Sequence, residues 1–185
     1  MNRVEKDREI IERVKAGEQA AFRELVNNYK DDAFALACSI LKDHEWAEDV
    51  LQDAFLKVFQ KIQSFKYQSA FYTWLYRIVV NRCYNELRRK KHTRREPLEN
   101  ISELEQGTDF PNPNNVNEYV ILALNQMKSD EALVLRLFYL SELSIEEVIQ
   151  VTGFGKSKVK VTLHRGRKNL ADLLRKYLGR EIEDL

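Results

Sequence analysis

Residues 64–89 have the sequence SFKYQSAFYTWLYRIVVNRCYNELRR, which contains a strong helical pattern. From about Ala70 to Lys91, apolar side chains recur every three or four residues, the spacing of one face of an α-helix. That face consists of Phe71, Trp74, Leu75, Ile78 and Leu87, with Cys83 near its edge. The sequence therefore predicts a long amphipathic helix that follows a mostly polar loop at residues 64–69.

The segments before this helix continue the pattern. Residues 18–96 contain neither glycine nor proline, and a long run of good helix formers without these breakers favours helices. We predict a short first helix that ends at Gly17, a second from Glu18 to about Ile40, and a third that begins near Asp43. With the helix at residues 70–91, these segments predict a helical bundle.

A change of composition separates this bundle from the rest of the chain. All three prolines lie between Pro97 and Pro113, and residues 93–115 hold too few large apolar side chains to form a core of their own. We predict an all-α chain with two helical domains, at residues 1–92 and 116–185, joined by a flexible linker at 93–115. A linker of this length could extend over about 80 Å, so the two domains could lie far apart on one long ligand.

Four helices are predicted in the second domain. The first covers residues 116–127, and Ser129 is the expected N-cap of the next. The sequence SIEE at Ser144–Glu147 fits a capping box that opens a short helix. Gly153 ends that helix, and a long basic helix follows Gly155. A short helix, a glycine-containing turn and a long basic helix are typical of a helix-turn-helix.

The last helix combines a buried stripe, which includes Val159 and Leu163, with a basic outer face. Recognition helices present such a face to base edges and phosphates. The candidate DNA-binding side chains are Lys156, Ser157, Lys158, Lys160, Val161, His164, Arg165 and Lys168. Gly166 costs about 1 kcal/mol relative to alanine inside a helix, so we expect that close packing against a neighbouring helix requires it.

Charge is strongly segregated, although the formal net charge is only +1. Residues 77–95 and residues 156–176 each carry eight Lys or Arg against a single acid. Residues 43–53 carry five acids and residues 96–118 carry six, and neither segment contains Lys or Arg. The two basic blocks favour two binding sites for a polyanion such as nucleic acid. The alternative is that both are solvated helix faces.

The helix at residues 70–91 has a polar face opposite its apolar one, suited to phosphates and base edges. This face consists of Arg77, Asn81, Tyr84, Asn85 and Arg88. The preceding loop suits unstacked bases, since it offers a cation, an aromatic ring and hydrogen-bonding groups. Its candidate residues are Lys66, Tyr67, Gln68 and Ser69. The alternative is an ordinary loop that plugs the core, which we expect for Phe65 and leave open for Tyr67 and Gln68.

Three stretches of the chain resemble a known family. DHEWAEDVLQDAFLKVF at residues 43–59, together with residues 64–89, closely resembles region 2 of the extracytoplasmic-function (ECF) sigma factors of bacterial RNA polymerase. LSIEEVIQVTGFGKSKVKVTLHRGRKNL at residues 143–170 resembles their region 4. The resemblance implies a protein that binds core RNA polymerase, directs it to −35 and −10 promoter elements, and promotes promoter melting.

The resemblance also implies where the polymerase binds. In the family, the helix that matches Asp43–Lys61 docks on the clamp helices of the largest polymerase subunit. The matching positions here are Glu48, Asp49, Gln52, Asp53 and Phe55. An acidic segment is suited to a basic protein partner. The alternative, acids favoured by the helix dipole, explains Asp43 and Glu45 but not the acids further into the helix.

The resemblance assigns the remaining sites as well. The loop at Lys66–Ser69 and the polar face at Arg77–Arg88 would bind the −10 element as single-stranded DNA, and Lys156–Lys168 would bind the −35 duplex. The resemblance implies that region 4 also contacts the polymerase flap. It is also compatible with an anti-sigma factor as a further partner. The sequence departs from the family at Val159–Thr162, commonly V-K-S-R, and at Phe154–Lys156, commonly a proline-containing entry. Because of these two departures, the family's −35 base preference does not carry over to this chain, although its docking on the duplex does. Val161 could contact a thymine methyl group.

Other function classes find little support. Phosphate-loop and dinucleotide glycine motifs are absent, the three histidines lie in separate segments, and Cys38 is expected in the core with Cys83 semi-buried. We expect no catalytic residue, cofactor or metal, no signal peptide or membrane span, and a cytoplasmic protein. The alternatives are a stand-alone helix-turn-helix repressor or activator and, more remotely, a small helical enzyme.

Overall fold

The computed structural model describes residues 3–93 and 116–183. Regular structure in these residues is entirely helical, which confirms the all-α prediction. The helices are α1 (Arg3–Lys15), α2 (Gln19–Leu41), α3 (His44–Lys61), α4 (Phe71–Thr93), α5 (Val116–Gln126), α6 (Ser129–Leu135), α7 (Ile145–Thr152) and α8 (Lys156–Glu183). Apart from Thr93, the predicted linker lies outside the described residues.

In the N-terminal bundle, α2 packs against α1, α3 and α4. Its apolar face, which includes Leu25, Tyr29 and Leu36, is almost completely buried. The following helix begins where predicted, because the side chain of Asp43 accepts a hydrogen bond from the backbone N–H of Trp46 at 2.9 Å. The short α2–α3 connection therefore follows from local capping, and the burial of one face of each helix stabilises the bundle.

The buried face of α4 is wider than the apolar spacing indicated. Tyr76, Val79 and Val80 are fully buried, because α4 is covered by α2 and α3 on one side and by α7 on another. Cys83 is also fully buried, whereas Cys38 is only partly buried. The prediction of a core Cys38 and a semi-buried Cys83 is therefore wrong: the two cysteines have the opposite degrees of burial.

The C-terminal domain contains the predicted capping box and helix-turn-helix. Ser144 and Glu147 exchange hydrogen bonds at the start of α7, and Gly153 ends α7 with a left-handed φ of 71°. The prediction that Ser129 is an N-cap is wrong. The N-cap position is Lys128, and the Ser129 hydroxyl donates instead to the backbone oxygen of Ile40 at 3.3 Å. α6 ends at Leu135 and is followed by one π-helical turn, Arg136–Leu140.

Gly166 packs closely against α6, as predicted. A Cβ atom at this position would lie 3.1 Å from Cδ1 of Leu135, a core side chain that is 2% exposed. We expect Gly166→Val to destabilise the C-terminal domain by about 2 kcal/mol, because overpacking a core contact costs about 1–3 kcal/mol. Urea unfolding followed by circular dichroism measures this change, with Lys176→Val at an exposed position of α8 as the control. Equal stability of the two variants would contradict the prediction.

The two domains lie against each other in the structure. α4 packs against α7, and α2 packs against α6. Glu147 accepts hydrogen bonds from the hydroxyl groups of Tyr72 at 3.1 Å and Thr73 at 3.2 Å. Burial tends to raise the pKa of Glu147, but these bonds and those from Ser144 outweigh it and lower the pKa below its ordinary value. The linker is long enough to let the two domains lie far apart, but in this structure they are in contact.

Candidate nucleic-acid and protein interfaces

The polar face of α4 lies on the surface as a continuous strip. Arg77, Asn81, Asn85 and Arg88 are exposed. Tyr84 is partly buried, and its hydroxyl donates to Asp130 of α6 at 3.0 Å. Burial, together with the neighbouring Asp130 carboxylate, raises the pKa of Tyr84. Four of the five predicted residues are therefore free to bind a ligand, and the fifth contacts the C-terminal domain.

A cavity of about 210 Å³ opens beside this strip, between α3 and α4. Its lining contains three cations, two side-chain amides and two apolar side chains but no carboxylate: Lys57, Arg77, Arg82, Asn81, Asn85, Trp74 and Ile78. Cations, amides and an aromatic surface together suit a nucleotide, which has an anionic phosphate and a flat base. The sequence analysis did not place Lys57, Trp74 or Arg82 in a binding site. Trp74 and Arg82 lie one turn either side of Ile78 on α4, and this spacing was the available signal. Lys57 belongs to α3 and meets them only through packing.

The loop at residues 66–69 is held against α1. Tyr67 adopts a left-handed φ of 57°, and its hydroxyl donates to Glu12 at 2.5 Å. The Nζ atom of Lys15 lies 4.4 Å from the centre of its ring. Phe65 is buried, as expected of a core plug. Lys66 and Gln68 are exposed and Ser69 is partly buried, so the loop offers its polar side chains while Tyr67 is engaged within the fold.

The basic face of α8 lies on the surface. Its eight candidate residues are exposed, namely Lys156, Ser157, Lys158, Lys160, Val161, His164, Arg165 and Lys168. Val159 and Leu163 are buried against the domain, as predicted. Lys158 forms an ion pair with Asp130 at 2.8 Å. Asp130 therefore contacts both Lys158 of α8 and Tyr84 of α4. The helix thus presents a cationic face in the position of a recognition helix.

The acidic helix α3 presents a different kind of surface. Glu48, Asp49, Gln52 and Asp53 are exposed. Phe55 is buried in the bundle at 9% exposure, so the structure does not support its prediction as a docking residue.

Two apolar side chains that the sequence analysis missed extend the acidic surface. Leu56 is 60% exposed and Phe59 is 52% exposed. They follow Gln52 at helical i+4 and i+7 spacing, which was the signal that could have identified them. The ring of Phe59 packs on that of Phe22 with centroids 4.9 Å apart. Exposed apolar side chains beside charged ones are typical of a protein-binding surface.

The described helices include none long and apolar enough to cross a membrane. Over residues 3–93 and 116–183, the histidine, cysteine and acidic side chains form no cluster suited to a metal ion.

Comparisons with known proteins agree with this architecture. The Sigma-70 region 2 family matches residues 25–93, and the Sigma-70 region 4 family matches residues 117–170. The chain is 31% identical to the ECF RNA polymerase sigma factor SigW of Bacillus subtilis, covering 89% of this chain and 95% of that one. It is 30% identical to the ECF RNA polymerase sigma-E factor of Escherichia coli, covering 88% and 91% of the two chains.

Two solved structures share the fold. The sigma factor RpoE of Bartonella quintana, in complex with the anti-sigma factor NepR, gives a TM-score of 0.64 at 23% identity, over 83% of this chain and 96% of that one. CnrH, in complex with the cytosolic domain of CnrY, gives a TM-score of 0.62 at 21% identity, over 92% and 97%. The two family matches occur along the chain in the order region 2, then region 4. The matches to the two sequence relatives cover nearly the whole length of those proteins. The chain therefore belongs to the ECF sigma factors of the sigma-70 family.

Proposed function

We propose that this protein binds core RNA polymerase, directs it to −35 and −10 promoter elements and promotes promoter melting. The observation that carries the proposal is the separation of three surfaces on one chain. An acidic and apolar surface on α3 suits a protein partner, and two cationic surfaces, on α4 and α8, suit DNA. A stand-alone repressor or activator would require only the α8 surface, so it leaves the other two unexplained.

The α3 surface is the proposed contact for the clamp helices of the largest polymerase subunit. Glu48, Asp49, Gln52 and Asp53 supply the negative charge, and Leu56 and Phe59 supply apolar area. Charge complementarity speeds association and fixes orientation, while the apolar side chains are the part that excludes water. The polymerase flap is the proposed partner of the C-terminal domain.

The α4 surface is the proposed contact for the single-stranded −10 element. Arg77 and Arg88 can bind phosphates, and Asn81 and Asn85 can hydrogen-bond to base edges. Lys66, Gln68 and Ser69 of the preceding loop lie at the start of the same helix and extend this surface. Capture of unstacked bases shifts the equilibrium toward open DNA, so melting requires neither a cofactor nor a chemical step on this protein.

The α8 surface is the proposed contact for the −35 duplex. Lys160, Val161, His164 and Arg165 lie in the middle of the exposed face, where a recognition helix meets base edges. Lys156, Lys158 and Lys168 flank them and suit phosphates. We place this activity in the cytoplasm, where polymerase and promoter DNA occur. We also include an anti-sigma factor among the proposed partners. Both fold relatives described above were solved as complexes, one of them with a named anti-sigma factor.

Transcription with purified components tests the proposed function. The protein is mixed with core polymerase and a library of promoter fragments, and the transcript starts are mapped. We expect new starts that depend on the protein and share an upstream −35 and −10 sequence. A repressor or activator would instead bind duplex DNA without polymerase and generate no starts with core enzyme alone.

Replacement of Tyr67 tests the role of the loop. If the ring leaves α1 to stack on an unpaired base, Tyr67→Ala should reduce open complexes about 5- to 150-fold, because base–aromatic stacking contributes about 1–3 kcal/mol per base. Permanganate footprinting measures open complexes, and gel shifts on the closed duplex serve as the control. Equal losses on duplex and on pre-melted DNA, with no change in base preference, would show that the loop is structural.

A further inference from the structure

We propose that the ion pair between Asp53 and Arg82 couples polymerase docking to binding of the −10 strand, with Arg82 as a residue that positions DNA in the α3–α4 cavity. In this proposal Asp53 is the resting counter-ion of Arg82. A cation of the polymerase that pairs with Asp53 releases the guanidinium to a phosphate of the DNA strand. The proposal rests on the proposed function, since it assumes that the α3 surface binds polymerase and the α4 surface binds DNA.

The ion pair joins the two surfaces directly. Asp53 belongs to the exposed acidic surface of α3, and one guanidinium nitrogen of Arg82 donates to its carboxylate. The side chain of Asp53 is 52% exposed, so a partner protein can reach it, and that of Arg82 is 30% exposed. The same Arg82 lines the cavity between α3 and α4. Asp53 therefore faces the proposed protein partner while its partner arginine faces the proposed DNA site.

The cavity is short of negative charge. Its three cations are Lys57, Arg77 and Arg82, and no carboxylate lines it. Among the described residues, Lys57 and Arg77 form no ion pair, and Asp53 pairs with Arg82 alone. The Nε atom of Arg82 is buried without a hydrogen-bond partner, so Asp53 satisfies only part of the guanidinium. An anion in the cavity would bind the exposed part of the guanidinium and balance the surplus charge.

Competition for Arg82 gives the coupling its sign. While Asp53 holds the guanidinium, a phosphate must displace a carboxylate before Arg82 can bind it. A polymerase cation at Asp53 removes that competitor, so docking raises the affinity for the DNA strand. Linkage requires the reverse effect to be equal, and the bound strand therefore raises the affinity for polymerase by the same factor. A half-exposed ion pair of this kind corresponds to about a two- to five-fold change in affinity.

A mutant cycle on the full-length protein tests the ion pair without polymerase. The probe is a short fluorescein-labelled single-stranded DNA from the non-template strand of a promoter, and anisotropy measures its affinity. We expect Asp53→Asn to tighten binding about two- to five-fold, since it releases Arg82. Arg82→Gln should weaken binding, and Asp53→Asn should have no effect in the Arg82→Gln background. Arg82→Lys, which keeps the charge, should restore part of the affinity.

The control is Glu45→Gln, which removes the same charge from an exposed position of the same helix. If Glu45→Gln tightens binding as much as Asp53→Asn, the effect is general charge and the proposal is wrong. It is also wrong if Asp53→Asn acts equally in the Arg82→Gln background. Core polymerase should then raise the affinity of the wild type more than that of Asp53→Asn. A wild type that does not bind polymerase at all would contradict the proposed function, whereas the cycle in the free protein would still decide the ion pair.

Discussion

Glu48→Lys combined with Asp49→Lys is expected to weaken binding to core RNA polymerase by at least about 30-fold, or about 2 kcal/mol. Both residues are exposed on α3, on the helix face that also carries Leu56 and Phe59. Reversing two charges at a surface suited to a basic partner replaces attraction by repulsion, and like charges brought together across an interface cost several kcal/mol. Surface plasmon resonance with immobilised core enzyme measures the loss, mainly as slower association at low salt.

The matched control reverses two acids elsewhere on the same domain. Glu9 of α1 and Asp31 of α2 are exposed and form no ion pair within the described residues. Glu9→Lys combined with Asp31→Lys gives the same change in net charge, so it should bind core polymerase within about two-fold of the parent, since scattered surface substitutions have small effects. If both double variants lose affinity equally, long-range charge rather than the α3 surface governs binding.

The fold was largely predictable because its signals are local. Apolar spacing, the Ser144–Glu147 capping box and the glycines at 17 and 153 each act within a few residues, and the structure has helices where they predict them. The errors arise where a second element intervenes. Ser129 has the chemistry of an N-cap, but its hydroxyl donates across the domain contact to Ile40. Cys83 looks marginal along α4 but is covered from more than one side.

The candidate sites were predictable to the extent that each lies on one helix. The polar face of α4 and the basic face of α8 follow from helical periodicity alone, and their arginines and lysines are indeed exposed. The cavity could not be predicted, because Lys57 and Arg82 come from different helices and meet only through packing. Family resemblance implied that Phe55 binds polymerase, but its side chain is buried in the core of the bundle. Resemblance alone therefore does not tell whether a side chain is exposed.

Lys160→Ala combined with Arg165→Ala is expected to reduce affinity for the −35 element at least about 100-fold, or about 2.7 kcal/mol. Both side chains are exposed on the face of α8 opposite the buried Val159 and Leu163. A side chain that hydrogen-bonds to a base contributes about 1–3 kcal/mol, and one that contacts phosphate contributes to all sequences alike. Competition between the selected −35 duplex and a scrambled duplex, measured with the polymerase-bound protein, separates the two cases.

Measured on the two single variants, the salt dependence identifies which of the two side chains contacts phosphate. Each lost phosphate contact lowers the slope of log affinity against log salt by about 1, whereas a lost base contact leaves the slope nearly unchanged and relaxes the preference at one position. Lys128→Glu combined with Lys176→Glu alters exposed cations of the same domain outside the recognition face and should retain the −35 preference. If the Lys160 and Arg165 variant keeps that preference while the control loses it, the duplex is bound by another face of the C-terminal domain.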